Sequence, residues 1–242
     1  MNLIVDIGNT RTKLHVFDAG REVYATAVGA ADDWLPVVPW DRYPLTKAML
    51  CSVRDDPSAY AARLSGRLET ARCLSAAAPL PVRIAYRTPE TLGADRLAAV
   101  CGAWALAPGR DCLVVDLGTA ITYDFLSRDG VYRGGNIAPG LRMRMDALHR
   151  YTARLPQVAP DSAFPLLGDT TESAVRAGVM QGVLMEMEGY ARALSTEAGP
   201  ISVFLTGGDA FYFEKRLKSR IFVTQNLVAV GLNAVLEWNE KP

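Results

Sequence analysis

Leu3–Lys13 reads LIVDIGNTRTK, and 110 residues further on Leu113–Tyr123 reads LVVDLGTAITY. At that offset Leu3 meets Leu113, Asp6 meets Asp116, Gly8 meets Gly118 and Thr12 meets Thr122, while Ile4, Val5 and Ile7 face Val114, Val115 and Leu117. The spacing is close to half of the 242-residue chain, which predicts two related halves in tandem. Each copy opens with a continuously apolar run, the pattern of a strand covered on both faces. Each then has Asp-x-Gly, short hydroxyl or amide residues and a second β-rich stretch, LHVFD in the first copy and ITYDFL in the second. The expectation is a hairpin with its polar groups at the tip.

Outward from the hairpins, strand and helix patterns alternate, as in an α/β protein. The first half has helical pattern at Pro57–Leu68 and from Asp95 to Leu106. The second adds a strand near Val131–Tyr132, then GGNIAPG, then helical pattern from Leu141 to about Arg154 and at Thr171–Leu194. A strand at Ile201–Leu205 and a last strand and helix around Ile221–Glu237 follow. A boundary near Pro108–Asp111 divides the chain into residues 1–110 and 111–242, with the last helix a candidate to return onto the first half.

Composition excludes several classes of function. Lys plus Arg and Asp plus Glu stand at 26 each, a formal net charge of zero, without the basic excess of a nucleic-acid clamp. The four cysteines, Cys51, Cys73, Cys101 and Cys112, show no C-x-x-C spacing, and the histidines are His15 and His149. That argues against a zinc site or a disulfide framework and fits a reducing cytosol. No uncharged apolar run reaches the 18 or so residues that span a bilayer, and the amino terminus has no signal-peptide pattern. The expectation is a soluble cytoplasmic protein with no nucleic-acid or membrane partner.

In the first hairpin, Gly8 permits the tight turn and brings N–H groups close to an anion, Asn9, Thr10 and Thr12 offer short donors, and Lys13 a full positive charge. Asp6, at a strand end, is the candidate for Mg²⁺, which keeps several waters and one or two carboxylates. A polar tip that only makes the turn explains one such hairpin equally well; two tips facing across a cleft make a phosphate clamp. The tips are not equivalent, because at the 110-residue offset Tyr123 stands where the first has Lys13. Thr119 and the backbone near Gly118 would hold another phosphate, and Asp116 a cation.

Between the halves, Tyr86–Trp104 reads YRTPETLGADRLAAVCGAW. Thr88-Pro89 forces extended chain, Gly93 permits a turn, and Asp95 falls at or near a helix start. There an aspartate is either a cap worth about 1 kcal/mol or the acceptor of a substrate hydroxyl proton, with Arg96 beside it for an anionic substrate. The two roles are compatible. TGGDA at Thr206–Ala210 is either an approach to adenine or ribose or a plain glycine turn; GGNIAPG shapes a loop and helix start. Asp124 either supports a site residue from behind or takes an outward strand position, His149 and the helix arginines fit a solvated face or interface, and Trp104, Met143 and Met145 core or dimer packing.

DIGNTRTK, GADR after TPETL, DLGTAITYD and GGNIAPG, in this order, resemble the type III pantothenate kinases, from Asp6 to NLVAVGLNA near the end. The resemblance implies two tandem ribonuclease-H-like domains, the actin-like ATPase fold, with the nucleotide cleft between them. It implies ATP contacts from Asp6, Ile7, Gly8, Asn9, Thr10, Arg11, Thr12, Lys13 and Thr119, and a monovalent cation, K⁺ or NH₄⁺, at Asp116. Pantothenate contacts would come from Tyr86, Gly93, Ala94, Asp95, Arg96 and Thr171, with Asp95 as the proton acceptor. Thr171 follows Thr170 where the family has Asn-Thr, so either threonine fits that position. Homodimers with the acceptor site completed across the interface are implied too. A kinase of the same superfamily acting on another small hydroxylated metabolite, and a non-catalytic regulatory relative, are the alternatives.

Overall fold

The computed structural model describes residues 1–218 and 221–240. In chain order the elements are β1 (Asn2–Ile7), β2 (Arg11–Asp18), β3 (Arg21–Gly29), β4 (Lys47–Ser52), α1 (Ser58–Leu64), β5 (Thr70–Cys73), β6 (Arg83–Ile84) and α2 (Ala94–Leu106). There follow β7 (Cys112–Leu117), β8 (Ala120–Leu126), β9 (Val131–Pro139), α3 (Leu141–Arg150), α4 (Thr171–Ala198), β10 (Ser202–Thr206), β11 (Ile221–Val223) and α5 (Leu227–Trp238). The chain forms two compact units. One comprises Met1–Gly109, Arg128–Arg133 and the segment from Asn226 onward; the other comprises Arg110–Ser127 and Gly134–Gln225. Helix α5 therefore belongs to the first unit, although it follows the last strand of the second.

In the first unit the sheet runs β3-β2-β1-β4-β5, and in the second the order β9-β8-β7-β10-β11 repeats it strand for strand. Short β6 pairs in parallel with the start of β9 at Arg83↔Val131 and Ile84↔Tyr132, all residues of the first unit. Strand β1 is antiparallel to β2 and parallel to β4, just as β7 is antiparallel to β8 and parallel to β10. Both central strands are buried on two faces, the physical reason LIVDI and LVVDL read as unbroken apolar runs. Leu3, Val5 and Ile7 enter one cluster with Leu14, Trp34, Leu50 and Leu64, while α5 packs against β1 and β4. Strand β3 alternates exposed and half-covered residues, as an edge strand with one covered face does.

Helix α2 crosses α5 at two glycines. A Cβ on Gly102 would strike the Leu227 carbonyl, and one on Gly231 would strike the Ala98 carbonyl and lie 2.7 Å from the Gly102 nitrogen. Backbone, unlike a side-chain end, cannot swing away. Gly231→Ala should therefore destabilise the fold by about 1–3 kcal/mol, the range of overpacked cores, read as a lower urea midpoint with an unchanged denaturant slope.

In the second unit α4 lays Val175, Val179, Val183 and Met187, at four-residue intervals, onto Leu113, Val115 and Leu117. GGNIAPG differs from the sequence expectation. Gly134–Pro139 continues β9, and only Gly140 leads into α3. Gly135 explains the difference, since its missing side chain lets β9 lie against the Tyr123 carbonyl and the Asp124 carboxylate. Asp124 is correspondingly fully buried, with no exposed surface, so of the two readings open to it the outward one is corrected. Met145 lies in the core as expected, whereas Met143 is half exposed.

Candidate active site

The β1–β2 hairpin closes through the Gly8 N–H on the Arg11 carbonyl at 3.0 Å, leaving Asn9 and Thr10 as its tip. A Cβ on Gly8 would press on that carbonyl at 3.1 Å. Asn9, Thr10 and Arg11 are exposed and Lys13 is half exposed, whereas Ile7 and Thr12 have no exposed surface. Ile7 meets its surroundings through its carbonyl, which accepts the Val53 N–H at 3.1 Å. The Thr12 hydroxyl accepts from the Arg54 guanidinium at 3.5 Å, so inside the hairpin it fixes the turn.

Asp6 and Lys13 are opposite each other in the β1–β2 register, with Lys13 Nζ 3.7 Å from Asp6 Oδ2. On the other side, β4 places Cys51 opposite Asp6, and its thiol donates to Asp6 Oδ1 at 3.5 Å. Cys51 is completely buried. Burial first, and then the negative charges of Asp6 and Asp95, push its thiol well above the ordinary range. Helix α2, which carries Asp95, contacts β4, which carries Cys51, within the same unit as the Asp6–Lys13 hairpin.

Helix α2 positions that carboxylate. Gly93 is its N-cap and Asp95 its second residue, so Asp95 is not itself the cap; its Oδ1 accepts the Arg96 N–H at 2.8 Å. A Cβ on Gly93 would come 2.6 Å from Asp95 Oδ1, so glycine there keeps room for the carboxylate. Ala94 opens the helix. Arg96 is 95 % buried, with its guanidinium carbon 5.8 Å from the centre of the Tyr86 ring. Tyr86 in turn stacks on Tyr132, with centroids 6.1 Å apart and planes 18° from parallel. A partly buried contact joins three elements of this unit: His15 Nδ1 lies 2.9 Å from Glu22, which also accepts from Asn226 just before α5 at 2.5 Å. Burial lowers the His15 pKa, against the opposing pull of Glu22.

The second unit carries its own tip. Gly118 N–H donates to the Ala120 carbonyl at 3.1 Å, leaving Thr119 alone as the exposed tip residue, and the Thr119 carbonyl accepts from Gly140 at 3.2 Å. Asp116 is opposite Thr122 and Leu117 opposite Ile121, so this hairpin is one residue shorter than the first. The 110-residue alignment therefore fails beyond the turn. Thr122, not Tyr123, occupies Lys13's place, and Ile121 that of Thr12. Tyr123 faces the core instead, donating to Glu186 at 3.0 Å, and Glu186 is gripped by both Arg144 nitrogens at 2.6 and 2.8 Å. Burial and that carboxylate raise the Tyr123 hydroxyl.

Beside Asp116 is Gly207, the first glycine of TGGDA, at φ +90°, where any Cβ would run into the Asp116 carboxylate and the Leu117 backbone. The Asp209 N–H donates to the Leu117 carbonyl at 3.0 Å, tying this glycine turn to the hairpin. Thr170 is the N-cap of α4, in a reciprocal box in which its hydroxyl accepts from Ser173 N at 3.1 Å and Ser173 Oγ accepts from Thr170 N at 2.9 Å. Thr171, exposed at the first helical position, stands outside that box. Cys51 and Arg54, which both touch the first hairpin's residues, have no motif of their own. They arrive through the pairing of β4 with β1.

Residues 2–193 match the model of the family described as type III pantothenate kinase. A type III pantothenate kinase of Phocaeicola vulgatus is 46% identical over 243 residues, covering 100% of both chains. One of Bacteroides fragilis is 44% identical over 241 residues, covering 99% of this chain and 98% of its own. Among solved structures, a conserved putative Baf family transcriptional activator from Campylobacter jejuni aligns with a TM-score of 0.65 at 20% identity, over 98% of each chain. A putative 2-dehydro-3-deoxygalactonokinase from Sinorhizobium meliloti aligns at 0.61 and 15% identity, over 100% of this chain and 98% of that one. These two likenesses show the fold alone. With two hairpins of one design, an acidic helix start beside the first, and close relatives along its whole length, the chain belongs to the type III pantothenate kinase family.

Proposed function

We propose that the chain transfers the γ-phosphoryl group of ATP to the primary hydroxyl of pantothenate, giving 4′-phosphopantothenate at the entry to coenzyme A synthesis. The observation that carries this, beyond the family, is Asp95 in the first turn of α2, a helix that contacts β4, the strand whose Cys51 lies opposite Asp6. Phosphoryl transfer asks for alignment and charge neutralisation more than for covalent help. Lys13 and the backbone of the Asn9–Thr10 tip stabilise phosphate charge, and Asp95 orients the acceptor hydroxyl and takes its proton. Gly93 leaves that carboxylate its room, while Tyr86 and Arg96 form a stacked wall for the acceptor.

A single carboxylate with a partly exposed lysine beside it suits Mg²⁺ carried mostly by phosphates and water, so Asp6 is its proposed protein contact. When bound, Mg²⁺ neutralises charge on the phosphates. Among the described residues no group of three or more His, Cys, Asp or Glu could hold a metal, which fits so lightly held an ion. Asp116, against which Gly207 packs without a side chain, is the proposed contact of K⁺ or NH₄⁺, and Thr119 of a second phosphate. The Thr170 capping box favours Thr171 as the threonine offered to pantothenate. A homodimer that completes the acceptor site is part of the proposal, with exposed Met143, Met185 and Leu167 as candidates for its contact. No described helix is long and apolar enough to cross a membrane, in keeping with a cytoplasmic place.

ADP release measured with ATP and pantothenate, with and without K⁺ or NH₄⁺, tests the proposal. Pantothenate-dependent release that rises with the monovalent ion is expected. Release that ignores pantothenate but follows another small alcohol would sink the assignment.

A further inference from the structure

Arg54 follows β4 and takes part in none of the chemistry described so far. From there its side chain reaches across the first hairpin. One terminal nitrogen donates to the Ala30 carbonyl, and the other lies 3.5 Å from the Thr12 hydroxyl. Ala30 in turn donates its N–H to the Thr10 carbonyl at 3.1 Å, so the guanidinium is linked to the tip residue through one residue. Both of its partners are neutral oxygens. Among the described residues no carboxylate lies within ion-pair distance of it, and its Nε is buried without a hydrogen-bond partner. The adjacent Asp55 carboxylate accepts from the Tyr60 hydroxyl at 3.1 Å instead.

A partly buried cation without a counter-ion is costly unless a charge arrives to meet it. Thr12 is in phase with Leu14 on the core face of the hairpin, and Lys13 with Asp6 on the other. The two cations thus approach the tip from its two faces, and among the described residues Lys13 alone of the two has an acidic partner within ion-pair distance, at 3.7 Å. We propose that Arg54 is a second cation for the nucleotide phosphates, acting on them through its charge while bracing the tip that holds them. This rests on the reading that the β1–β2 hairpin takes the phosphates of ATP.

The test is calorimetric titration of the full chain with ATP and with adenosine, for wild type, Arg54→Lys and Arg54→Gln, at low and high ionic strength. A charge role predicts that Arg54→Gln weakens ATP on the order of tenfold at low salt and less at high salt. Arg54→Lys should keep most of the affinity, adenosine binding should be the same in all three, and KM for pantothenate should not move. Equal weakening by Lys and Gln, or weakening that adenosine shares, would reduce Arg54 to a brace and overturn the proposal. Unchanged ATP binding in both variants would overturn it as well. Wild-type chain that phosphorylates pantothenate yet binds ATP with no loss on Lys13→Ala would instead remove the hairpin reading beneath it.

Discussion

Asp95→Asn is expected to bind ATP and pantothenate with nearly wild-type KM values and to lose about 10²–10⁴-fold in kcat, the span of general-base contributions. The substitution is nearly isosteric and keeps an oxygen that can accept the Arg96 N–H, now received by Asp95 Oδ1 at 2.8 Å, so the start of α2 should hold. Stability should change little, because the N-cap is Gly93 and no capping side chain is removed. What is lost is the group that takes the hydroxyl proton. The neighbourhood changes too: one of the negative charges that hold the Cys51 thiol high disappears, although burial, the larger cause, remains. Steady-state kinetics with both substrates varied, alongside a urea unfolding curve, separate these effects. A kcat within a factor of a few of wild type would remove Asp95 from the chemistry. A large loss matched by a lower urea midpoint would make it a structural residue.

The central strands and their acidic turns were legible because they are local. An unbroken apolar run followed by Asp-x-Gly needs no distant residue for its interpretation, and two copies corroborate each other. Legibility ended at the second turn. One residue fewer in the β7–β8 tip shifts every later side chain by one place, and with a side-chain period of two that exchanges faces. Hence Tyr123, matched to Lys13 by simple offset, turns into the core to meet Glu186, and Thr122 takes the place opposite Asp116. The helices at Asp95–Leu106 and Thr171–Leu194 were visible from their apolar periodicity, but the end that matters was less so. Ser173 closes the Thr170 capping box where the usual signature has Glu or Gln, so the box carried little signal. The sequence leaves an outward position open for Asp124 because its cover, the glycine-permitted approach of β9, is a tertiary contact. Cys51 and Arg54 were invisible for the same reason. Nothing in KAMLCSVRDD announces that β4 will lie parallel to β1 with Cys51 opposite Asp6.

Lys13→Ala should weaken the use of ATP by about 1.5–3 kcal/mol, the worth of a charge-assisted contact to phosphate, or about 10- to 150-fold in kcat/KM for ATP. The structure makes a second consequence separable from the first. Lys13 Nζ also stands 3.7 Å from Asp6 Oδ2, so its removal leaves a nearly buried carboxylate with only the Cys51 thiol on its other oxygen. That ion pair contributes little to stability by itself, because Lys13 is 42% exposed and water screens it. Its larger effect falls on the nucleotide, since an uncompensated Asp6 repels the phosphates that Lys13 attracted. A double-mutant cycle with Asp6→Asn therefore has a definite expected sign. The loss of ATP binding caused by Lys13→Ala, measured by titration so that Asp6's part in turnover does not intrude, should be smaller in the Asp6→Asn background than in wild type. Losses that add without coupling would mean that Lys13 meets the phosphates independently of Asp6, and an unchanged kcat/KM for ATP in the single variant would take Lys13 out of nucleotide binding altogether.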